Sequence, residues 1–289
     1  MNISIPTRKP FSFAQTLTFV RRFPPCQGDY VITDDSITAA VSVCGQALPF
    51  TIRGRAGVTV EVPDGLDPVP QALLAARAAH FVGASDDLGA LYDAAESDPP
   101  FAALVKELHG LHHVRFLTLE EVAVYCVFTQ RTPVRMAAQL KRRFLDAFGL
   151  PVDVGGGRTL RAMPEMPALV ELDERAIAAA TGHRGKAATV VSVVRGVAAL
   201  GEAFLRTAPY AQARDALLAV RGIGPFSAAM ILLRGLGRMD ELPAMRGFTD
   251  VARTIYGADF DERAVARRYG AQIGYWSFYL KTGAARLAA

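Results

Sequence analysis

The chain has 289 residues, of which 51% are hydrophobic and 21% charged, enough apolar content for two or three domains and too little charge for long disorder. A formal net charge of +4 suits a polyanionic partner without demanding one, because mildly basic enzymes are common. No apolar run is long enough to span a bilayer, and the three dispersed cysteines (Cys26, Cys44, Cys126) point away from a disulfide framework or a zinc site.

Taken in chain order, Met1–Pro10 carries Arg8 and Lys9 with no apolar signal core behind them, so a cytoplasmic protein away from membranes is expected. Residues 12–23 read as a helix, with Ser12 as cap and Phe13, Leu17 and Val20 on one face. Between Asp29 and Pro63 come short β-rich runs at 30–33, 37–43, 48–53 and 58–62, broken by turn residues. Val58, Val60 and Val62 alternate with Thr59 and Glu61 as in a half-buried strand, and antiparallel hairpins are the simplest arrangement. An alanine-rich helix follows at 69–81. Helical patterning then dominates, at 86–93, 100–108, 119–129, 133–148, 173–181, 186–205, 210–220, 225–236, 248–255, 262–269 and 274–280. Residues 151–167, which include Gly155-Gly156-Gly157, read as a surface loop. His112-His113 lacks the Cys/His company that a metal site needs. The fold class is α+β, with a small antiparallel β-rich domain over 1–85 and a two-lobed all-helical domain over 86–289.

The most informative segment is PYAQARDALLAVRGIGPFSAAMILLRG at 209–235. Two helices flank Arg221-Gly222-Ile223-Gly224-Pro225. The glycines permit backbone conformations that a β-carbon forbids, and Ile223 between them is placed to plug the space between the helices. Pro225 opens the second helix, where its missing N–H costs nothing. The free amides of that helix start, at the positive end of the helix dipole, form an anion site that a DNA phosphate fits. An ordinary helical hairpin with a glycine turn is the competing reading.

The string Leu217-Leu218-x-Val220-x-Gly222-Ile223-Gly224-Pro225-Phe226-Ser227-Ala228 resembles the hairpin of the helix-hairpin-helix (HhH-GPD) DNA glycosylase superfamily. The wider chain is similar to that superfamily's 3-methyladenine DNA glycosylase II (AlkA) branch. Residues 10–13 with Phe19 match the branch's opening segment. The helix from Glu121 to Gln130, with Arg131-Thr132-Pro133, matches the part that enters the minor groove, and Lys186 matches a basic turn before the hairpin. The resemblance implies a monofunctional N-glycosylase of base excision repair, acting on alkylated bases in duplex DNA as a monomer in the nucleoid. It implies DNA contacts from Gln130, Arg131, Val220, Gly222, Ile223, Gly224 and Ser227. It also implies a monovalent cation, Na or K, on the Val220 and Gly222 backbone, and a base pocket that includes Phe19, Phe226, Met230, Met245 and Arg246. The four-cysteine iron–sulfur motif of some relatives is absent from the sequence, and no other cofactor is expected.

The sequence departs from the family at the chemistry. Hydrolysing the N-glycosidic bond builds positive charge on the sugar, which the family offsets with an Asp shortly after a proline. Aligned on Pro243, that position reads Met245, with Arg246 beside it. Asp250, further along, is the catalytic candidate under a shifted register, and a solvent-facing or capping Asp is its alternative. Two functions therefore compete: an active 3-methyladenine-type glycosylase, and a catalytically impaired homologue that binds distorted or branched DNA. Arg131 stands where the family fills the gap left by a flipped base, with a solvated arginine as its alternative. Lys141-Arg142-Arg143 and Arg267-Arg268 are candidates for further phosphate contacts, with plain solvated faces as the alternative.

Overall fold

The computed structural model describes residues 1–54, 57–242 and 248–287. Five strands form one antiparallel sheet: β1 (Asn2–Ile5), β2 (Val31–Ile32), β3 (Ser36–Val43), β4 (Gln46–Gly54) and β5 (Val58–Glu61), in the order β1-β5-β4-β3-β2. Its hairpins follow the expected runs, with Val58 and Val60 turned inward. The sequence reading lacked β1. Four residues give too short an alternation to register, and the strand exists because Asn2 through Ile5 pair with Glu61 through Val58. Helix α1 (Phe13–Val20) is capped as expected, the Ser12 hydroxyl accepting the Gln15 amide at 3.3 Å. Helix α2 (Pro68–Phe81) closes this part of the chain.

The remainder is helical, with α3 (Gly89–Glu96), α4 (Pro99–Glu107), α5 (Leu119–Thr129), α6 (Val134–Phe148), α7 (Met166–Val170), α8 (Glu174–Thr181) and α9 (Arg184–Leu200). After these come α10 (Glu202–Thr207), α11 (Tyr210–Ala219), α12 (Pro225–Ala229), α13 (Phe248–Tyr256), α14 (Glu262–Tyr269) and α15 (Ile273–Leu287). The single helix read over 186–205 is two, split at Gly201, whose φ of 77° a β-carbon would resist. The stretch 151–167 is not a plain loop. Leu150–Asp153 (β6) pairs with Thr159–Ala162 (β7) around the glycine turn, and α7 follows. Val152, Leu160 and Ala162 bury themselves against Ala40 of the main sheet, a partner that local sequence does not reveal. No helix among the described residues is long and apolar enough to cross a membrane.

Two cores hold the molecule. The larger joins the sheet (Ile37, Phe50, Ile52, Val60) to the apolar helix α5, to α9 and to the hairpin residue Ile223. The second joins α3 and α4 (Leu91, Phe101, Leu104) to α13 and α15, where Trp276 and Tyr279 are wholly buried. Phe19 packs against both clusters, so α1 sits at their junction. Buried charge is matched by charge. Lys141 Nζ lies 2.6 Å from Glu121 and 2.7 Å from Asp29, and donates to the Pro25 carbonyl at 2.8 Å. The two carboxylates hold the Lys141 ammonium well above its ordinary pKa despite burial. The basic run at 141–143 is thereby split, with Lys141 serving as an internal tie rather than a phosphate contact. Arg115 pairs with Asp86, which also accepts from Tyr275. Both ring nitrogens of His112 lie against backbone carbonyls, of Gly83 at 2.6 Å and Pro10 at 2.8 Å.

Candidate nucleic-acid interface and base cavity

Helix α11 ends at Ala219, and Val220 through Gly224 turn the chain into α12, which runs on through a π-helical segment at Met230–Gly235. Ile223 is buried between the helices, its amide donating to the Val220 carbonyl at 3.0 Å. Gly222 has φ of 97°, and a Cβ there would lie 2.7 Å from Cγ2 of Thr189 on α9. Both facts require glycine. At Gly224 the backbone is ordinary and extended (φ −101°), and a Cβ would meet no atom within 4 Å. This position therefore opens to solvent. The first amide to close an intrahelical bond is that of Ala228, onto the Gly224 carbonyl at 3.0 Å, so the Gly224, Phe226 and Ser227 amides precede the helical ladder.

The hairpin is pinned to α5. Gln130, at the C-terminus of α5, donates from Nε2 to the Gly222 carbonyl at 2.8 Å and to the Ser227 hydroxyl at 3.1 Å. Ser227 is buried, so its hydroxyl serves this tie while its backbone stays at the helix start. Lys186 completes the clamp: its Nζ donates to the Val127 carbonyl at 2.8 Å and the Gln130 carbonyl at 3.0 Å. Partial desolvation there lowers the Lys186 pKa. The residue after this clamp, Arg131, is exposed and has φ of 50°, a left-handed conformation uncommon for a β-carbon-bearing residue. Val134 and Met136, 54% and 47% exposed, follow it in the first turn of α6. The turn into α6 thus forms a corner that carries an exposed arginine and two exposed apolar residues.

Next to that corner is a cavity of about 490 Å³. Phe19, Phe226 and Met230, expected in the pocket from the sequence, all line it, as do Thr129 and Thr132 from either side of Arg131. Met245 and Arg246 lie outside the described residues. Asp250 is exposed in the first turn of α13 and is absent from the cavity lining. Four basic residues that sequence reasoning missed also line the cavity: Arg22, Arg234, Lys281 and Arg286. The Arg234 guanidinium carbon sits 5.4 Å from the Phe19 ring centroid, 5.3 Å from Phe23 and 5.1 Å from Phe278. Its Nη1 donates to the Val114 carbonyl at 3.1 Å, and burial lowers its pKa to about 10. The one available sequence signal was a lone arginine in the apolar run Met230–Gly235. No aspartate or glutamate lines the cavity among the described residues.

The Val220 carbonyl accepts the Ile223 amide and the Gly222 carbonyl accepts Gln130, so each oxygen retains one lone pair. Gly222 is exposed, and the two oxygens are of the hard type that a sodium or potassium ion takes.

The sheet, the two cores, the hairpin and the cavity beside it are arranged as in solved structures of DNA glycosylases. The 3-methyladenine DNA glycosylase from Archaeoglobus fulgidus superposes with a TM-score of 0.80 over 99% of both chains, at 18% identity. More narrowly, the sequence relatives are named AlkA or DNA-3-methyladenine glycosylase. The chain is 28% identical over 58% of its length to a probable bifunctional transcriptional activator/DNA repair enzyme AlkA of Mycobacterium tuberculosis, covering 34% of that protein. It is 26% identical over 52% of its length to a DNA-3-methyladenine glycosylase of Bacillus subtilis, covering 50% of it. The chain thus spans a third to a half of these curated relatives. No family model matches the chain.

Proposed function

We propose that this protein is a DNA-repair protein of the DNA-3-methyladenine glycosylase type, which grips duplex DNA as a monomer and turns a damaged base into the cavity beside the hairpin. The observation that carries this reading is the single hydrogen-bonded unit of Gln130 with Gly222 and Ser227. It locks the phosphate-facing helix start to the Arg131 corner and so to the mouth of the cavity. The amides of Gly224, Phe226 and Ser227 take a backbone phosphate, and a sodium or potassium ion on the Val220 and Gly222 carbonyls would add positive charge at the same place. Arg131, with Val134 and Met136, enters the stack where the base has left.

A second reading is favoured by one observation: among the described residues the cavity has no carboxylate in its lining, and Asp250 is exposed. Without an acid beside the sugar, the developing positive charge of bond cleavage is unsupported. On this reading the protein binds distorted DNA with little or no excision.

Release of abasic sites from methylated duplex decides between the two. Under the impaired reading the natural protein is slow or inert, Asp250→Asn changes little, and Met245→Asp raises the rate. Robust excision that Asp250→Asn abolishes establishes the full enzyme with Asp250 as its acid. Failure to bind duplex DNA at all overturns both.

A further inference from the structure

A base turned into a cavity leaves its sugar at the mouth and its two phosphates outside, so the rim is where a grip on the strand belongs. Several donors in this lining are used by the protein itself. The hydroxyls of Thr18, Thr129 and Thr132 donate to the carbonyls of Ala14, Cys126 and Gln130 at 2.8–2.9 Å. Of the three arginines in the lining, Arg286 lies 3.4 Å from Glu107. Arg234 is enclosed by Phe19, Phe23 and Phe278 and donates to the Val114 carbonyl. Arg22 differs from both. It is exposed, in the turn that ends α1, and among the described residues no acid pairs with it. Its neighbour Arg21 takes the local carboxylate, Asp34, at 2.8 Å. The backbone under Arg22 is fixed, its amide donating to the Phe19 carbonyl at 3.0 Å, and Phe23 after it is buried. A free guanidinium is thus held at the cavity rim by an element other than the hairpin.

We propose that Arg22 binds a phosphate adjoining the extruded nucleotide, so that the strand is held at two points, by Arg22 and by the hairpin amides. This rests on the reading of the cavity as a base site. A guanidinium meets a phosphate through two parallel N–H···O bonds, shorter and stronger than neutral ones. The pairing also suits a positively charged alkylated base, because the phosphate offsets the Arg22 charge at the rim. Extrusion itself supplies the selectivity. Unstacking a nucleotide costs energy, and a contact made only once the backbone has swung out recovers part of that cost, whereas a contact to any duplex phosphate recovers none. A solvated arginine closing α1 would show no dependence on a particular phosphate.

The test is a phosphate scan. The probe is a duplex with one 7-methylguanine, as the 2′-fluoro nucleotide so that the base stays attached, in which single phosphates are replaced by uncharged methylphosphonates. In anisotropy titrations, neutralising one of the two phosphates beside the lesion is expected to weaken binding of the natural protein roughly tenfold. Arg22→Gln is expected to bind the all-phosphate duplex roughly tenfold more weakly and to lose nothing further from the methylphosphonate at that one position. Its melting temperature stays that of the natural protein, since the residue is exposed. Arg22→Lys, which keeps the charge without the fork, restores part of the affinity. Arg22→Gln binding as tightly as the natural protein overturns the proposal, as does a loss that is equal on every methylphosphonate duplex. A preference for the lesion duplex over an undamaged one, with no sensitive phosphate beside the lesion, overturns the proposal alone. If the lesion duplex binds no better than the undamaged one, the base-site reading fails, and the proposal with it.

Discussion

The two hairpin glycines separate folding from DNA binding, and Gly224→Asp is the sharpest perturbation. At Gly224 the backbone is extended and nothing lies within 4 Å of an added Cβ, so the fold has room for a side chain. An Asp at this helix N-cap is a better cap than glycine by roughly a few tenths of a kcal/mol, so melting is expected unchanged or slightly raised. The same carboxylate covers the amides of Phe226 and Ser227 and repels a phosphate. Hydrogen bonds to a charged group are worth about 1.5–3 kcal/mol, which corresponds to roughly a 10- to 150-fold loss of duplex affinity. One phosphate contact fewer also makes the slope of log K against log salt shallower by about 0.9. Gly222→Ala is the contrasting control. Its φ of 97° and the 2.7 Å approach to Thr189 make it a folding mutant. The left-handed backbone costs about 1–2 kcal/mol and overpacking about 1–3 kcal/mol. Anisotropy titrations of Gly224→Asp from 50 to 200 mM salt, beside thermal melts, read both quantities. A well-folded Gly224→Asp with unchanged affinity and salt slope would refute the hairpin as the phosphate site.

Arg131→Ala is expected to weaken binding to an abasic duplex several-fold more than to an intact one, because a gap-filling side chain acts where stacking is broken; equal losses on both would reduce it to a phosphate contact. Lys141→Met leaves Glu121 and Asp29 with no cation in a buried site, so a loss of about 3–5 kcal/mol in urea unfolding is expected, and a loss under about 1 kcal/mol would mean that the cluster is solvated. The protein is also expected to be acid-labile. Burial and nearby arginines lower His80 to about 3 and His113 well below its ordinary value, and neither ring nitrogen of His113 has a partner. Groups that gain a proton only on unfolding stabilise the fold fully above their unfolded pKa. That stability is lost as pH falls below about 6.5, at up to about 1.4 kcal/mol per pH unit for each histidine. His113→Phe is expected to flatten this slope between pH 6.5 and 5, and an unchanged slope would place the proton elsewhere.

The hairpin was legible in the sequence because its determinants are local. Gly222, Ile223, Gly224 and Pro225 act within five consecutive residues, through backbone freedom, a plug and a helix start, and none needs a distant partner. The same holds for α1, capped by Ser12, and for α5, whose run from Leu119 to Phe128 is buried almost throughout. The cavity was only half legible. Phe19, Phe226 and Met230 were found through the family pattern, but Arg234 and Lys281 were not, since a charge in a helix has no address until other elements pack around it. Arg234 meets Phe19, Phe23 and Phe278, which come from opposite ends of the chain. The run Lys141-Arg142-Arg143 makes the same point: composition reads three surface cations, while Asp29 and Glu121 draw the first of them inside. Short strands behave likewise. β1 exists through Glu61 to Val58, and β6 and β7 through Ala40 of a distant sheet. What the sequence determined alone is whatever backbone geometry and helical or strand period fix within a few residues. Which side chains share a cavity, and which charges are paired within it, is decided by long-range packing, because desolvation and Coulomb energy depend on neighbours that only the folded chain brings together.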